Sequence, residues 1–163
     1  MNAAPATLDR AGIAARIPHH GRMALLDALA GWSADAIHCT ATGQGDPAHP
    51  LRTDSGLLAP CAIEYAGQAM ALHGALVAEA AGGVAVPPSP GFLASVRGVR
   101  MAVDRLDDVT GTLHVRAERL AGDARQVLYR FEVADDGGRR LVDGRATVVL
   151  NTLLAGTPDG GRG

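Results

Sequence analysis

The chain has 163 residues, a length that suits one domain with a sizeable core. Apolar residues make up 47% of the chain and aromatic residues only 3%, so the core is predicted to be mainly aliphatic. The formal net charge of -2 gives no overall basic character, which argues against nucleic acid or an anionic membrane as a partner.

The N-terminal part predicts an arm followed by a single domain. We expect residues 1–16 to form the arm, with a short helix, and residues 17–150 to form the domain. The first residues lack the charged start and long apolar run of a secretory signal, so the expected location is the cytoplasm.

Cys39 and Cys61 have no metal-ligand spacing and are expected to be small core residues. With no metal-binding cluster and no glycine-rich phosphate motif, we expect no metal and no cofactor.

Three segments precede the most regular part of the chain. Residues 17–29 combine Pro and Gly punctuation with an apolar run, and residues 36–43 alternate as a short strand. Residues 44–60 are rich in turn formers and are predicted to be a loop.

Residues 59–83 predict a long buried helix. The segment is rich in Ala, Leu and Met, Pro60 suits a first turn, and Gly82 and Gly83 favour an end. Apolar residues cover every face, which is typical of a buried helix. The helix is too short and too often interrupted by polar groups to be a membrane span.

Glu64 is the exception in this helix. An ionised carboxylate in apolar surroundings is costly unless it is paired, and an acid that keeps its proton there is suited to general acid catalysis. Gln68 lies four positions later and shares its face. The alternative is that Glu64 points into solvent at the helix end, where the helix dipole favours it.

The rest of the chain predicts an antiparallel sheet. A Pro/Gly loop over residues 81–91 leads into four strand-like runs, the third and fourth of which are joined by the hairpin sequence ADDGG. Residues 151–163 are expected to be a disordered tail. Strand material, one buried helix and then a run of strands define an α+β fold with the helix against one sheet face. The predicted strand runs are 92–103, 112–120, 126–134 and 139–150.

Five motifs occur in a fixed order: IPHHGRMALLD, AHPLR, IEYAGQAMA, GFLASVRGVRMAV and GRATVVL. Together they resemble the hotdog-fold dehydratases that act on 3-hydroxyacyl groups held on acyl carrier protein, and most of all the divergent branch linked to aryl-polyene pathways. The resemblance covers roughly residues 16–150. It implies a hotdog fold, in which an antiparallel sheet wraps around one long buried central helix.

The resemblance also implies a catalytic pair. In that family a loop histidine and an acid in the central helix act together, and by position these are His49 and Glu64. His49 is expected to take the C2 proton and Glu64 to protonate the departing 3-hydroxyl. The implied partners are an acyl carrier protein with its phosphopantetheine-linked acyl chain, and a second hotdog chain. The second chain is the same protein or a related subunit, because in the family the histidine of one protomer faces the acid of the other.

Further contacts are predicted around this pair. A free backbone N–H at Cys61 or Ala62 is expected to meet the thioester carbonyl, and Gln68 matches a glutamine that often follows the family's acid. Arg97 and Arg100, with Arg22 or Arg52, are expected to contact the acidic surface or the phosphopantetheine phosphate of the carrier protein.

The remaining histidines are assigned structural or surface positions. His19 and His20 lie in a stretch that is structural in the family. His38 and His114 are expected on solvated strand faces, and His73 is expected to be a hydrogen-bonded core or interface residue.

The predicted function is dehydration of 3-hydroxyacyl thioesters to trans-2-enoyl thioesters. One alternative is a hotdog acyl-thioester hydrolase, in which the helix acid activates water. Another is a catalytically weak partner subunit, which is favoured by the Pro50-Leu51-Arg52 segment where well-known members have Phe-Pro-Gly. A less favoured alternative makes Cys61 a nucleophile with His49 as its base.

Overall fold

The computed structural model describes residues 4–82 and 91–150. Most of the predicted Pro/Gly loop, the predicted helix end at Gly83 and the predicted tail over residues 151–163 lie outside the described residues.

Within these described residues, six strands form one antiparallel sheet in the order β1-β2-β4-β5-β6-β3. The strand β2 and the four later strands occur in the segments that were predicted to form strands. The strand β1 was not predicted, because its sequence ALAGW has no β-branched residue and its register shifts between Leu29 and Gly31. The strands are β1 Ala28–Trp32, β2 Ala36–Ala41, β3 Phe92–Met101, β4 Leu113–Gly122, β5 Gln126–Ala134 and β6 Arg140–Val149.

In the part of the chain that the structure describes, two α-helices accompany the sheet, the short α1 (Arg10–Ala14) and the long α2 (Ala62–Ala80). The chain enters α2 through the 3₁₀ helix Ala59–Cys61, which has Pro60 in its first turn. One face of α2 is fully buried, and each large apolar side chain on it contributes about 1.5 to 3 kcal/mol. The predicted buried helix and the hotdog arrangement are therefore confirmed. Within residues 4–82 and 91–150, no helix has the length and hydropathy needed to cross a membrane.

The two faces of the sheet differ in chemistry. On β4, Val115 and Ala117 belong to the core, whereas Arg116 and Glu118 are exposed. Phe131 on β5 is likewise buried. Because successive strand residues point to opposite faces, the inner face packs on α2 and the outer face is charged.

The described residues before position 17 pack against the sheet and α2. Leu8 forms an isolated bridge with Leu29, and the side chain of Ile13 is fully buried. Arg16 forms an ion pair with Glu79 near the end of α2, with an N–O distance of 3.0 Å. These contacts hold the segment before residue 17 in place beside α2.

Candidate active site

His49 is held by the loop that precedes α2. Its Nε2 atom lies 2.8 Å from the hydroxyl of Tyr65, a fully buried residue of α2. The backbone N–H of Leu51 donates to His49 Nδ1 at 3.1 Å. Arg22 secures the same loop by donating to the carbonyl of Ala48 at 2.7 Å.

These contacts define the state of the His49 ring. Burial lowers the pKa of His49; nearby Asp46 opposes this, and the positive charge of Arg52 adds to it. The neutral imidazole is therefore favoured. Because Nδ1 accepts the N–H of Leu51, the ring hydrogen lies on Nε2 and points at Tyr65. To take up a proton, His49 has to release Leu51, for example by a ring flip.

Glu64 lies in the first turn of α2, and its side chain is 38% exposed. The carboxylate oxygen Oε1 lies 3.0 Å from Nε2 of His19 and accepts from Nε2 of Gln68 at 3.2 Å. The expectation of a carboxylate enclosed by apolar groups is therefore wrong. Glu64 is paired and open to solvent on one side, so it is accessible to a substrate.

Gln68 is fully buried and all its hydrogen-bonding groups are engaged. Its amide oxygen accepts from the N–H of Leu25 at 2.9 Å, and its amide nitrogen donates to the carbonyl of Met23 at 2.7 Å as well as to Glu64. Gln68 therefore positions Glu64 and fixes the N-terminal segment against α2. In this arrangement it has no free group for the predicted substrate contact.

His19 is the site residue that the sequence reasoning missed. Its Nε2 contacts Glu64, while its Nδ1 is buried and has no hydrogen-bond partner among the described residues. The PHHGR motif makes this segment recognisable in the sequence, but the distance along the chain between His19 and Glu64 gives no indication that the two side chains are in contact. The contact exists because the segment before β1 passes over the start of α2.

His49 and Glu64 lie at the same end of α2 but are not joined. Within the described residues, no hydrogen bond or ion pair connects them. Tyr65, which His49 contacts, follows Glu64 directly, and consecutive helical residues point about 100° apart. One chain therefore presents the two predicted catalytic groups on different sides of the helix.

The predicted free backbone N–H is not found at Cys61 or Ala62. The N–H of Cys61 donates to the carbonyl of Leu58 at 3.0 Å, and that of Ala62 donates to the carbonyls of Ala59 and Pro60. The prediction of a free donor at these two positions is wrong, because the 3₁₀ entry to α2 uses both groups within its own turn.

The thiol of Cys61 is a poor nucleophile. Its sulfur lies 4.0 Å from the carbonyl oxygen of Leu51, and burial raises its pKa. Since the thiolate is the reactive form, a raised pKa argues against covalent catalysis by this residue.

Asp107 anchors the loop that leads into α2. Its carboxylate pairs with Arg105 at 2.6 Å and with Arg52 at 3.5 Å, and accepts the N–H of Leu57 at 3.2 Å. The hydrogen bond from Arg105 lowers the pKa of Asp107 to about 2. Asp107 therefore stays ionised and holds the stretch between His49 and α2.

Arg97 and Arg100 lie away from this site. Both line a groove on the outer face of the sheet together with Arg116, whereas α2 packs on the inner face. The structure therefore places the two predicted carrier-protein contacts on the opposite side of the sheet from Glu64.

His38 and His114 were expected on solvated strand faces, and the structure shows a different arrangement. Nε2 of His38 lies 3.0 Å from Nδ1 of His114, whose Nε2 lies 2.8 Å from a carboxylate oxygen of Asp136. They form a connected chain rather than two separately solvated rings.

His73, in contrast, is buried as expected, and it hydrogen-bonds the hydroxyl of Tyr129 and the carbonyl of Ser33, each at 2.8 Å. Over the described ranges, no three His, Cys, Asp or Glu side chains are grouped to hold a metal ion.

An antiparallel sheet around one buried helix, with a histidine and an acid at the helix start, defines a protein of the hotdog class. The chain belongs to the ApeP-like dehydratase family: the family model for ApeP dehydratase matches residues 11–155. No curated protein sequence matches the chain significantly.

Solved structures agree with this fold. The dehydratase heterocomplex ApeI:P from Xenorhabdus doucetiae is 24% identical, with 85% of this chain and 90% of that chain covered and a TM-score of 0.74. A thioesterase from Haemophilus influenzae is 12% identical, with 77% and 78% covered and a TM-score of 0.54. AziG from S. sahachiroi is 13% identical, with 80% and 94% covered and a TM-score of 0.56. At these identities the likenesses establish the fold.

Proposed function

We propose that the protein dehydrates 3-hydroxyacyl thioesters carried on acyl carrier protein to trans-2-enoyl thioesters, in a cytoplasmic polyene pathway. Membership of a dehydratase family supports the reaction class. The observation that supports the site most directly is the contact of His49 with Tyr65, which holds the loop histidine at the end of α2 that carries Glu64, so that the histidine of one chain can face the acid of a second chain. A histidine and a carboxylate at one helix end supply the two proton-transfer groups that the elimination needs.

The proposed reaction breaks two bonds of the substrate. A base removes a proton from C2, which the thioester carbonyl makes acidic, and the electron pair forms the C2–C3 double bond as the C3–O bond breaks. An acid supplies the proton with which the hydroxyl leaves as water. We assign His49 as base and Glu64 as acid, with the condition that the His49 ring first releases the Leu51 N–H.

The acyl chain is proposed to run along an exposed strip of α2. Gly67, Ala71 and Gly74 follow Glu64 at helical spacing, and all three are partly or fully exposed. A side-chain carbon added at Gly67 or Gly74 would meet nothing within 4 Å. Small side chains beside open space leave room for a substrate chain, which a second subunit would cover.

A second hotdog chain is proposed to complete the site. The strand β3 is at the edge of the sheet and exposes large apolar side chains, including Phe92 (60% exposed) and Met101 (51%). An open edge with apolar residues is suited to pairing with another chain. The partner is a copy of this chain or a related hotdog subunit. The ApeI:P dehydratase, one of the similar solved structures, is itself a heterocomplex.

The carrier protein is proposed to approach on the side of His49. Arg22 is exposed and contacts the backbone next to His49, so it is well placed to meet the phosphate of the phosphopantetheine arm. The positions of Arg97 and Arg100 on the outer sheet face do not support the carrier contact predicted for them.

A product analysis tests the proposed function. The full chain is incubated with a 3-hydroxyacyl carrier protein, alone and with a related hotdog subunit from the same source, and the carrier is analysed by mass spectrometry. We expect the acyl group to lose one water and to stay attached to the carrier. Release of the acyl group as a free acid would instead make the protein a thioesterase.

A second candidate function is that of a supporting subunit in a dehydratase complex. The observation that favours it is that His49 offers an N–H and not a free base in this chain, and has no direct contact with Glu64. Activity only in the presence of the second subunit, and unaffected by substitution of His49 or Glu64, would establish this candidate.

A further inference from the structure

The outer face of the sheet contains a groove of about 910 Å³, on the opposite side from α2. Of the residues that the structure describes, six arginines but only three carboxylates line it, in a chain whose formal net charge is -2. Positive charge is therefore concentrated in this groove, although the net charge of the whole chain is negative. The arginines are Arg97, Arg100, Arg116, Arg130, Arg140 and Arg145, and the carboxylates are Glu118, Glu132 and Asp143.

Three of these arginines lie directly opposite one another on adjacent strands. Arg145 of β6 is paired in register with Arg130 of β5 on one side and with Arg97 of β3 on the other. Neighbouring strands are about 4.8 Å apart, so the row extends over roughly 10 Å. Like charges directly opposite each other destabilise a sheet. The arrangement is therefore unfavourable unless something negative neutralises it.

The carboxylates of the groove neutralise only Arg130 in this row. Glu118 pairs with Arg130 at 3.6 Å, while Glu132 pairs with Arg116 and Arg140. Asp143 lies 3.9 Å from Arg140.

Among the residues that the structure describes, Arg97, Arg100 and Arg145 therefore have no ion-pair partner. Three guanidinium groups of the groove therefore remain available to a ligand.

A β-bulge brings Arg100 to the same face as Arg97. Arg97 is opposite Arg145 and Arg100 is opposite Asp143, so β3 contains one residue more than β6 over this stretch. The extra residue is accommodated at Gly98, whose φ is 59°, a conformation that side chains other than glycine rarely adopt. Without the bulge, two residues three positions apart on a strand would point to opposite faces.

We infer that this groove is a binding site for a diphosphate group carried by a small molecule. The planar fork of arginine matches phosphate oxygens in pairs, and a row of guanidinium groups matches adjacent phosphoryl groups better than a single anion. A volume of about 910 Å³ lies in the range of small-molecule sites. Inorganic pyrophosphate, a nucleoside diphosphate and coenzyme A share this chemistry.

Calorimetric titration of the full chain tests the inference. The ligands are inorganic pyrophosphate, ADP, coenzyme A and, as the single-anion comparison, inorganic phosphate. We expect pyrophosphate to bind at least about tenfold more tightly than phosphate, since each further charged hydrogen bond contributes about one factor of ten or more. Comparison of ADP and coenzyme A with pyrophosphate shows which source of the diphosphate the groove prefers.

Two variants make the test specific. Arg145→Gln should weaken pyrophosphate binding about tenfold, and Arg125→Gln, at an exposed position outside the groove, should leave it unchanged. Without ligand, Arg145→Gln should melt at the same temperature as the wild type or a higher one, because it relieves repulsion in the row.

The inference is overturned if none of the three diphosphates binds, or if Arg125→Gln weakens binding as much as Arg145→Gln does. It is also overturned if Arg145→Gln melts lower and binds pyrophosphate normally, because the row would then be structural. Association of the chain with itself or with an acidic protein through this face, without diphosphate binding, would likewise contradict it.

Discussion

His19 Nε2 lies 3.0 Å from Glu64 Oε1, although the two residues belong to different segments of the chain. The contact holds one carboxylate oxygen from the side of the N-terminal segment, and Gln68 holds the same oxygen from within α2. Glu64 is thus fixed by two groups while its side chain stays 38% exposed. An acid held in this way is ordered before a substrate arrives, which favours catalysis.

Replacing His19 by Ala should lower kcat about tenfold with little change in KM, because a polar contact to a charged group contributes about 1.5 kcal/mol or more. The matched control is His20→Ala, since His20 is its exposed neighbour. Steady-state dehydration kinetics measure the effect. Equal losses in the two variants would show that the segment matters only for folding.

The pH dependence should report His49. Because burial lowers its pKa, kcat/KM should stay constant down to a pH below the ordinary histidine value of 6.5 and then fall as the ring takes up a proton. Removing the positive charge of Arg52 should move the inflection to higher pH. Asp46→Asn should move it to lower pH, since Asp46 raises the pKa of His49. Shifts in the opposite directions would exclude His49 as the titrating base.

Gln68→Leu should reduce the free energy of unfolding by about 2 to 4 kcal/mol. The substitution keeps a similar volume but leaves the N–H of Leu25 buried without a partner, at about 1 to 3 kcal/mol, and removes the partly buried hydrogen bond to the carbonyl of Met23, at about 0.5 to 1.5 kcal/mol. Urea denaturation measures the change. Gln126→Leu, at an exposed position, is the control and should change stability little. A Gln68→Leu variant as stable as the control would mean that the N-terminal segment is not anchored through this amide.

Ala71→Leu should shorten the longest acyl chain that the enzyme accepts. Ala71 lies on the small-residue strip of α2 beyond Glu64, so a larger side chain there would block the far end of the proposed channel. Short-chain 3-hydroxyacyl thioesters should keep their kcat/KM, and long-chain ones should lose it. A uniform loss for all chain lengths would argue that the acyl chain runs elsewhere.

Local patterns were sufficient for much of the fold. The long apolar segment predicted α2, and period-two alternation predicted β4 and β5, because helix and strand periods are properties of neighbouring residues. The strand β1 was missed because the shift between Leu29 and Gly31 interrupts its alternation.

The site depended on contacts that no local pattern encodes. His19 contacts Glu64 only because the folded chain brings the two segments together. The amide of Gln68 is hydrogen-bonded to two backbone groups of the N-terminal segment, so Gln68 positions Glu64 and does not bind substrate. The faces of Arg97 and Arg100 depend on one inserted residue at Gly98, which shifts the register of β3.

The most direct test of the central claim compares dehydration by the wild type, His49→Ala and Glu64→Gln on the same 3-hydroxyacyl carrier protein. Mass spectrometry follows the loss of water, and circular dichroism confirms that the variants are folded. We predict that the wild type forms the enoyl thioester and that neither variant does so at a comparable rate. Normal dehydration by either folded variant would contradict the assignment of His49 and Glu64 as the catalytic pair.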